Sequence, residues 1–273
     1  MSPNRHVALL ALTLFALPLG SKAQQTATTS TQSPPQRDPA AVSVITKAIQ
    51  VLGGAASVSQ VQTIQTSGAI ASVSGSSQTP GTFVWKDQIT ASGFEFRSEF
   101  QSVAGTVVLL SGHGKPAQTL GATTQTLPSH VGEAVLPFHL PPILLAAELS
   151  NPNYSLTVVG QATVNGQPAI RLHFSIDTDD LRKAISPHDW YFDSQSGLPL
   201  RVEYRVPSTG NALNFRRIAA EFGDFRKVGA LLLPFKITIS NDGSPQNVIT
   251  IASILLNPNV PPADFDLPAG GTQ

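Results

Sequence analysis

The chain has 273 residues with 17 Lys+Arg against 17 Asp+Glu, and charged residues are only 12% of the total. That balance gives no electrostatic reason to expect nucleic acid or an anionic membrane surface as a partner. There is no cysteine, which excludes disulfides, thiol catalysis, Cys-ligated zinc and lipid attachment at an N-terminal cysteine.

Arg5, the apolar run from Val7 to Leu19 and the small residues Ser21 and Ala23 predict a cleaved secretory signal over residues 1–23. The run is too short for a membrane span, so no integral span is expected. Its removal leaves 15 basic against 17 acidic residues, a net charge of −2. Residues 24–37 are Thr, Ser, Gln and Pro for the most part and predict a disordered linker. Residues 38–268 read as a single folded domain, followed by a tail, 269–273.

Asp38-Pro39 is a helix start, with an N-cap acceptor and Pro at the first helical position. Val42, Ile45, Ala48, Ile49 and Leu52 then share one helical face, and Gly53-Gly54 ends it. From Val61 the period becomes two, so successive side chains point to opposite faces. Val61–Val73, Thr82–Ile89 and Val107–Leu110 read as strands, with Pro80-Gly81 and Gly105 as punctuation. Phe94, Phe96, Ser98 and Phe100 alternate with Glu95, Arg97, Glu99 and Gln101, giving one dry and one wet side. Ser111–Pro116 is a short loop.

Leu127–Leu149 breaks the alternation. It is apolar, including Val135, Leu136, Phe138, Leu140 and Leu144, while Pro137, Pro141 and Pro142 forbid one long helix. A turn followed by a helix near Pro142–Leu149 is expected. Strands resume around Asn165-Gly166, a strong hairpin signal. Asp179–Ile185 reads as a helical turn or an Asp-capped loop. The second half of Asp189–Val206 is a strict alternation: Leu198, Leu200, Val202, Tyr204 and Val206 oppose Pro199, Arg201, Glu203 and Arg205. Asp193-Ser-Gln-Ser-Gly197 supplies turn chemistry. Asn214–Phe225, Leu231–Ile239 and Val248–Leu256 complete the strands. The last is apolar enough to be covered on both faces, and Pro-rich coil follows.

The expected fold is therefore mainly β. It is a curved antiparallel sheet forming an incomplete half β-barrel of about ten strands, with helices packed over the concave face. The helix ending Val51-Leu-Gly-Gly54, the strand Val61–Gly68, and the stretches Trp190–Val202 and Phe222–Phe235 together resemble the superfamily of periplasmic outer-membrane lipoprotein carriers and sorting proteins, LolA/LolB-like. The resemblance spans roughly residues 40–256. It implies helices lying across the mouth of a curved half-barrel, and in the carriers the apolar cavity holds the acyl chains of a lipoprotein. This chain is longer, lacks the acylated cysteine of the membrane-bound receptor members, and has no arginine that aligns with the carriers' functional one.

The expectation drawn from this is non-enzymatic binding of an acyl chain, lipid or lipoprotein in the periplasm or outside the cell. An envelope protein is a further expected partner, and no cofactor or metal is called for. Phe83, Trp85, Phe94, Phe96, Phe100, Leu136, Phe138, Leu140 and Leu144 are the candidate cavity-lining residues. Aromatics at strand spacing also suit an ordinary core, so the alternative is a solid-cored envelope module acting through its surface. A third class, a hydrolase, would need convergent titratable groups, with His113, His139 and His188 as its support. The histidines show no metal spacing and read as surface or loop residues with local hydrogen bonds. The Asp177, Asp179, Asp180 cluster lacks the ligand periodicity of a calcium loop.

Overall fold

The alternation along the chain becomes one antiparallel sheet. A computed structural model describes residues 34–74, 77–91, 93–113, 115–134 and 136–267, all within the unit Ser33–Gln273. The expected signal peptide, the linker as far as residue 33, Val135 and the tail 269–273 lie outside the described residues.

The first meander runs β1 (Thr63–Ser74), β2 (Ser77–Thr90), β3 (Gly93–Ser102), β4 (Gly105–Gly112), β5 (Lys115–Leu120) and β6 (Thr123–Thr126). The second runs β7 (Tyr154–Val164), β8 (Gln167–Ile176), β9 (His188–Asp193), β10 (Pro199–Ser208), β11 (Asn211–Val228), β12 (Leu231–Asn241) and β13 (Ser244–Leu256). Pairing of β1 with β13 joins the two, in the order β6-β5-β4-β3-β2-β1-β13-β12-β11-β10-β9-β8-β7. The edges β6 and β7 do not meet, so the sheet is open and not a closed barrel. Among the described residues thirteen strands replace the expected ten or so. The unforeseen pair is β5 and β6, whose sequences KPAQTL and TTQT carry no apolar alternation.

Local chemistry sets the register. Asn165 (φ 50°) with Gly166 (φ 81°), and Asp242 (φ 47°) with Gly243 (φ 81°), take the two positive-φ positions of tight hairpins. Asp193 Oδ1 accepts from the backbone N–H of Ser196 at 2.6 Å and from its hydroxyl at 2.7 Å, which closes the β9–β10 turn. Pro80-Gly81 is not a turn, because β2 runs straight through it. Gly81 is needed there for space: a Cβ would lie 2.5 Å from the Phe100 ring. Strand β13 is dry on one face only. Ile249, Ile251 and Ile254 are buried, whereas Leu255 is 49% exposed, because the helices cover only one side of the sheet.

Among the described residues five helices accompany the strands: α1 (Pro39–Val51), α2 (Ala55–Val58), α3 (Ser129–Glu133), α4 (Pro141–Ser150) and α5 (Asp180–Ile185). The Asp38 carboxylate accepts from Ala40 N at 2.8 Å, and Ala41, Ile45, Ala48 and Ile49 form the buried stripe of α1. Pro141 and Pro142 open α4, where their missing N–H groups cost nothing. The chain carries α3 and α4 across the sheet on its way from edge β6 to edge β7. Helices α1 and α4 pack into one core with Phe83, Leu156, Phe174, Trp190, Phe192 and Leu233, all from the same side of the sheet. Glu148 is the exception in α4, a carboxylate within an apolar segment.

Two terminal segments differ from expectation. The expected linker reaches residue 37, but Arg37 bridges Leu156 on β7 in parallel, and its guanidinium donates to the carbonyls of Leu149 and Asn151. A fixed fork of N–H donors thus satisfies carbonyls at the C-terminal end of α4. At the other end, the 3₁₀ turn Pro262–Phe265 is not free coil. Phe265 is 1% exposed and packs with Leu110 and Val260. Lys86 holds Asp264 at 2.9 Å. Leu110 pairs with Arg97, and Arg97 with Lys86, so this strap lies on the face away from α1 and α4.

Candidate functional site

Where the helices leave the concave side uncovered, a cleft of about 790 Å³ remains. Phe94 and Glu95 come from β3, Leu136 and Phe138 from the turn before α4, and Leu144, Ala147 and Glu148 from α4 itself. Tyr154, Ile176, His188 and Tyr204, from β7 to β10, with Ile185 of α5, form the facing wall. Phe138 spans the two sides. Its ring stacks on Tyr204 at 4.0 Å and meets His188 edge-on at 5.6 Å. Burial pushes the Tyr204 hydroxyl up to about 12, so it stays a neutral phenol.

The floor of the cleft is charged. His188 Nε2 lies 2.9 Å from Glu148 Oε1, and both side chains are 1% exposed. The ring stands between Phe174, at 5.1 Å, and Tyr154, at 6.1 Å. His188 Nδ1 donates to the Ser186 carbonyl at 2.7 Å, so that nitrogen carries a proton. Burial opposes a charge on the ring, but the Glu148 carboxylate and the Ser186 carbonyl outweigh it and raise the His188 pKa above the ordinary 6.5. Among the described residues neither Glu148 carboxylate oxygen nor His188 Nε2 has a hydrogen bond of good geometry, so the 2.9 Å contact acts as a charge pair and the carboxylate has no other partner. A group that binds its proton more tightly when folded stabilises the fold below its unfolded pKa. The expected result is full stabilisation by this pair below about pH 6.5, lost as pH rises through the raised value. Urea midpoints measured from pH 6 to 9 check it, and the alkaline fall should vanish in Glu148→Gln.

A second buried pair lies nearby. His139 Nε2 is 3.0 Å from Asp87 Oδ2, with the Asp87 side chain 1% exposed. Trp85 sits 4.6 Å and Phe96 6.0 Å from the His139 ring. His139 and His188 are therefore not surface residues; each is an interior partner of a carboxylate that strand or helix geometry has buried. His113 does sit at the surface, 3.0 Å from Glu95 and 3.2 Å from Asp266.

The nine candidate lining residues divide into groups. Phe94, Leu136, Phe138 and Leu144 border the cleft. Phe83 and Leu140 are buried in the main core. Trp85 and Phe96 surround His139, and Phe100 is half-buried over Gly81. Glu148, Tyr154, Ile176, Ile185 and Tyr204 were missed, and His188 was named only as a hydrolase candidate. Two signals pointed to them: the lone acid within Pro141–Ser150, and the shared parity of His188 with Trp190 and Phe192. Among the described residues no three His, Asp or Glu side chains converge as a metal site requires.

No family model and no curated protein sequence matches the chain. Solved structures do. A domain from Vibrio parahaemolyticus described as an outer membrane lipoprotein-sorting protein is 12% identical, with 81% of this chain and 97% of that one covered at a TM-score of 0.52. A LolA superfamily protein from Nitrosomonas europaea is 10% identical, with 83% and 97% covered at 0.54. A DUF1329 family protein from Desulfovibrio piger is 12% identical, with 82% and 96% covered at 0.54. At such identities the likeness concerns the fold alone: this chain has an open, helix-covered antiparallel sheet like those of these structures. Among the described residues no helix is long and apolar enough to cross a membrane.

Proposed function

We propose that the cleft binds an acyl chain of a lipid or lipoprotein, and that the protein is a non-enzymatic binding module or carrier of the periplasm. The observation that carries this reading is the cleft itself. Its volume of about 790 Å³ lies within the roughly 300–1,000 Å³ of small-molecule sites. Phe94, Leu136, Phe138, Leu144, Ile176 and Ile185 offer apolar contact from five different segments. The fold shared with a lipoprotein-sorting domain supports it by analogy. His113, His139 and His188 each face a carboxylate, and among the described residues none bonds a Ser or Thr hydroxyl, so a triad-type hydrolase has no support here.

The alternative, a solid-cored envelope module, draws on Phe83, Leu140 and Leu145. These already fill much of the concave face against α1 and α4. Mass spectrometry of lipid extracted from protein purified out of its native envelope separates the two. An acyl-bearing species at near-stoichiometric amount is the expected result, and its consistent absence favours the solid core.

A further inference from the structure

The outer face of β8–β12 carries a groove of about 770 Å³ that the proposed function leaves unused. Four arginines border it: Arg171, Arg201, Arg205 and Arg217. Two are neutralised. Arg171 holds Asp189 at 2.6 Å, and Arg201 is paired with Glu203 and Glu221. Arg205 and Arg217 are different. They are direct cross-strand partners on β10 and β11, an arrangement that is destabilising for like charges. Among the described residues neither lies within ion-pair distance of a carboxylate, although Glu203 and Asp242 border the same groove.

Arg205 is nevertheless held in place. Its Nη1 donates to the Ala184 carbonyl at 3.1 Å, and its guanidinium lies 4.4 Å over the Phe215 ring. Its other N–H groups have no protein acceptor among the described residues. Burial and the charge of Arg217 both push Arg205 below its usual pKa. Two cross-strand guanidiniums that hold no carboxylate within ion-pair distance, Asp189 acting on Arg205 only through its more distant charge, suit the planar, bidentate recognition of a phosphate or carboxylate. The hydroxyl-bearing Thr238 and Ser240 stand on the adjacent strand and border the groove. The groove as a whole balances its arginines with Asp189, Glu203, Glu221 and Asp242, so the reading rests on the unpaired geometry of Arg205 and Arg217 and not on an excess of positive charge.

We propose that Arg205 and Arg217 form an oxyanion-binding site in this groove, for the phosphate or carboxylate of a free ion or of a lipid headgroup. Arg205 borders both the groove and the rim of the cleft, but the oxyanion reading rests on its unpaired donors and does not require an acyl chain in the cleft. The test uses the full chain, its Arg217→Gln variant and two probes. Arg217 is exposed, so the variant keeps the fold; Arg205→Gln is the second variant. Inorganic phosphate should shift the guanidinium NMR signals of Arg205 and Arg217 saturably, with apparent affinity at least about tenfold weaker in either variant. Vesicles of phosphatidylglycerol in phosphatidylcholine identify the source. If a headgroup is the ligand, they retain the wild type, salt-sensitively and above phosphatidylcholine alone, and lose the variant. If a free ion is the ligand, both vesicle types behave alike while the phosphate response persists. The proposal is overturned if chloride gives the same shifts as phosphate, or if both probes act equally on wild type and variants.

Discussion

Replacing Glu148 with alanine should lower the unfolding free energy by about 3–5 kcal/mol, the cost of leaving one member of a buried ion pair alone. His188 and Glu148 are each 1% exposed, so water cannot substitute for the lost partner. The pair also ties α4 to β9, and its loss should loosen the helix that walls the cleft. The double replacement Glu148→Leu with His188→Leu is the informative control. Two apolar groups of comparable size remove both desolvation penalties, so much of the stability should return. Chemical denaturation of the single and double variants checks this. A single variant within about 1 kcal/mol of wild type, the range of an exposed ion pair, would show that the contact is solvated.

Trp190→Ala should cost about 3–5 kcal/mol as well, by a different route, the loss of a large side chain from a packed interior. Trp190 is fully buried and stacks on Phe222 at 5.9 Å and Phe192 at 6.1 Å. Trp190→Phe should be clearly milder. The indole Nε1–H is buried with no hydrogen-bond partner among the described residues, so its removal sacrifices no bond and relieves a desolvation penalty of about 1–3 kcal/mol. Equal losses for alanine and phenylalanine would mean that the indole nitrogen is satisfied in solution.

The strands were legible because a period of two runs through Phe94–Phe100 and Val202–Val206, but the expected alternation fails at Leu200: a bulge between Pro199 and Arg201 buries Pro199 and packs Leu200 beside Tyr191, away from Val202. The α1 boundaries were legible because Asp38-Pro39 and Gly53-Gly54 carry start and stop chemistry of their own. Strands β5 and β6 were not, since Lys115–Leu120 buries only the adjacent Pro116 and Ala117 and Thr123–Thr126 buries nothing fully, so neither writes an alternation. The cleft was only partly legible. Phe138 stood out as apolar, but its stacking on Tyr204 depends on how the turn before α4 crosses to β10, a long-range fact. Glu148 was visible as an acid among leucines, and its meaning required His188, forty residues on, to be placed opposite it. Of the aromatic run on β2 and β3, Phe94 reached the cleft while Trp85 and Phe96 turned to His139. Sequence parity alone assigns all of them to one face and cannot divide them.

The central claim is that the space beside α4 accepts an acyl chain, and one titration bears on it most directly. A fluorescent long-chain fatty acid is added to wild type and to Ala147→Trp, whose altered residue borders the cleft and is only partly buried. The account predicts saturable binding to wild type and at least a tenfold weaker response once the indole fills the space. No saturable binding to the wild type, or unchanged affinity in the filled variant, would contradict it.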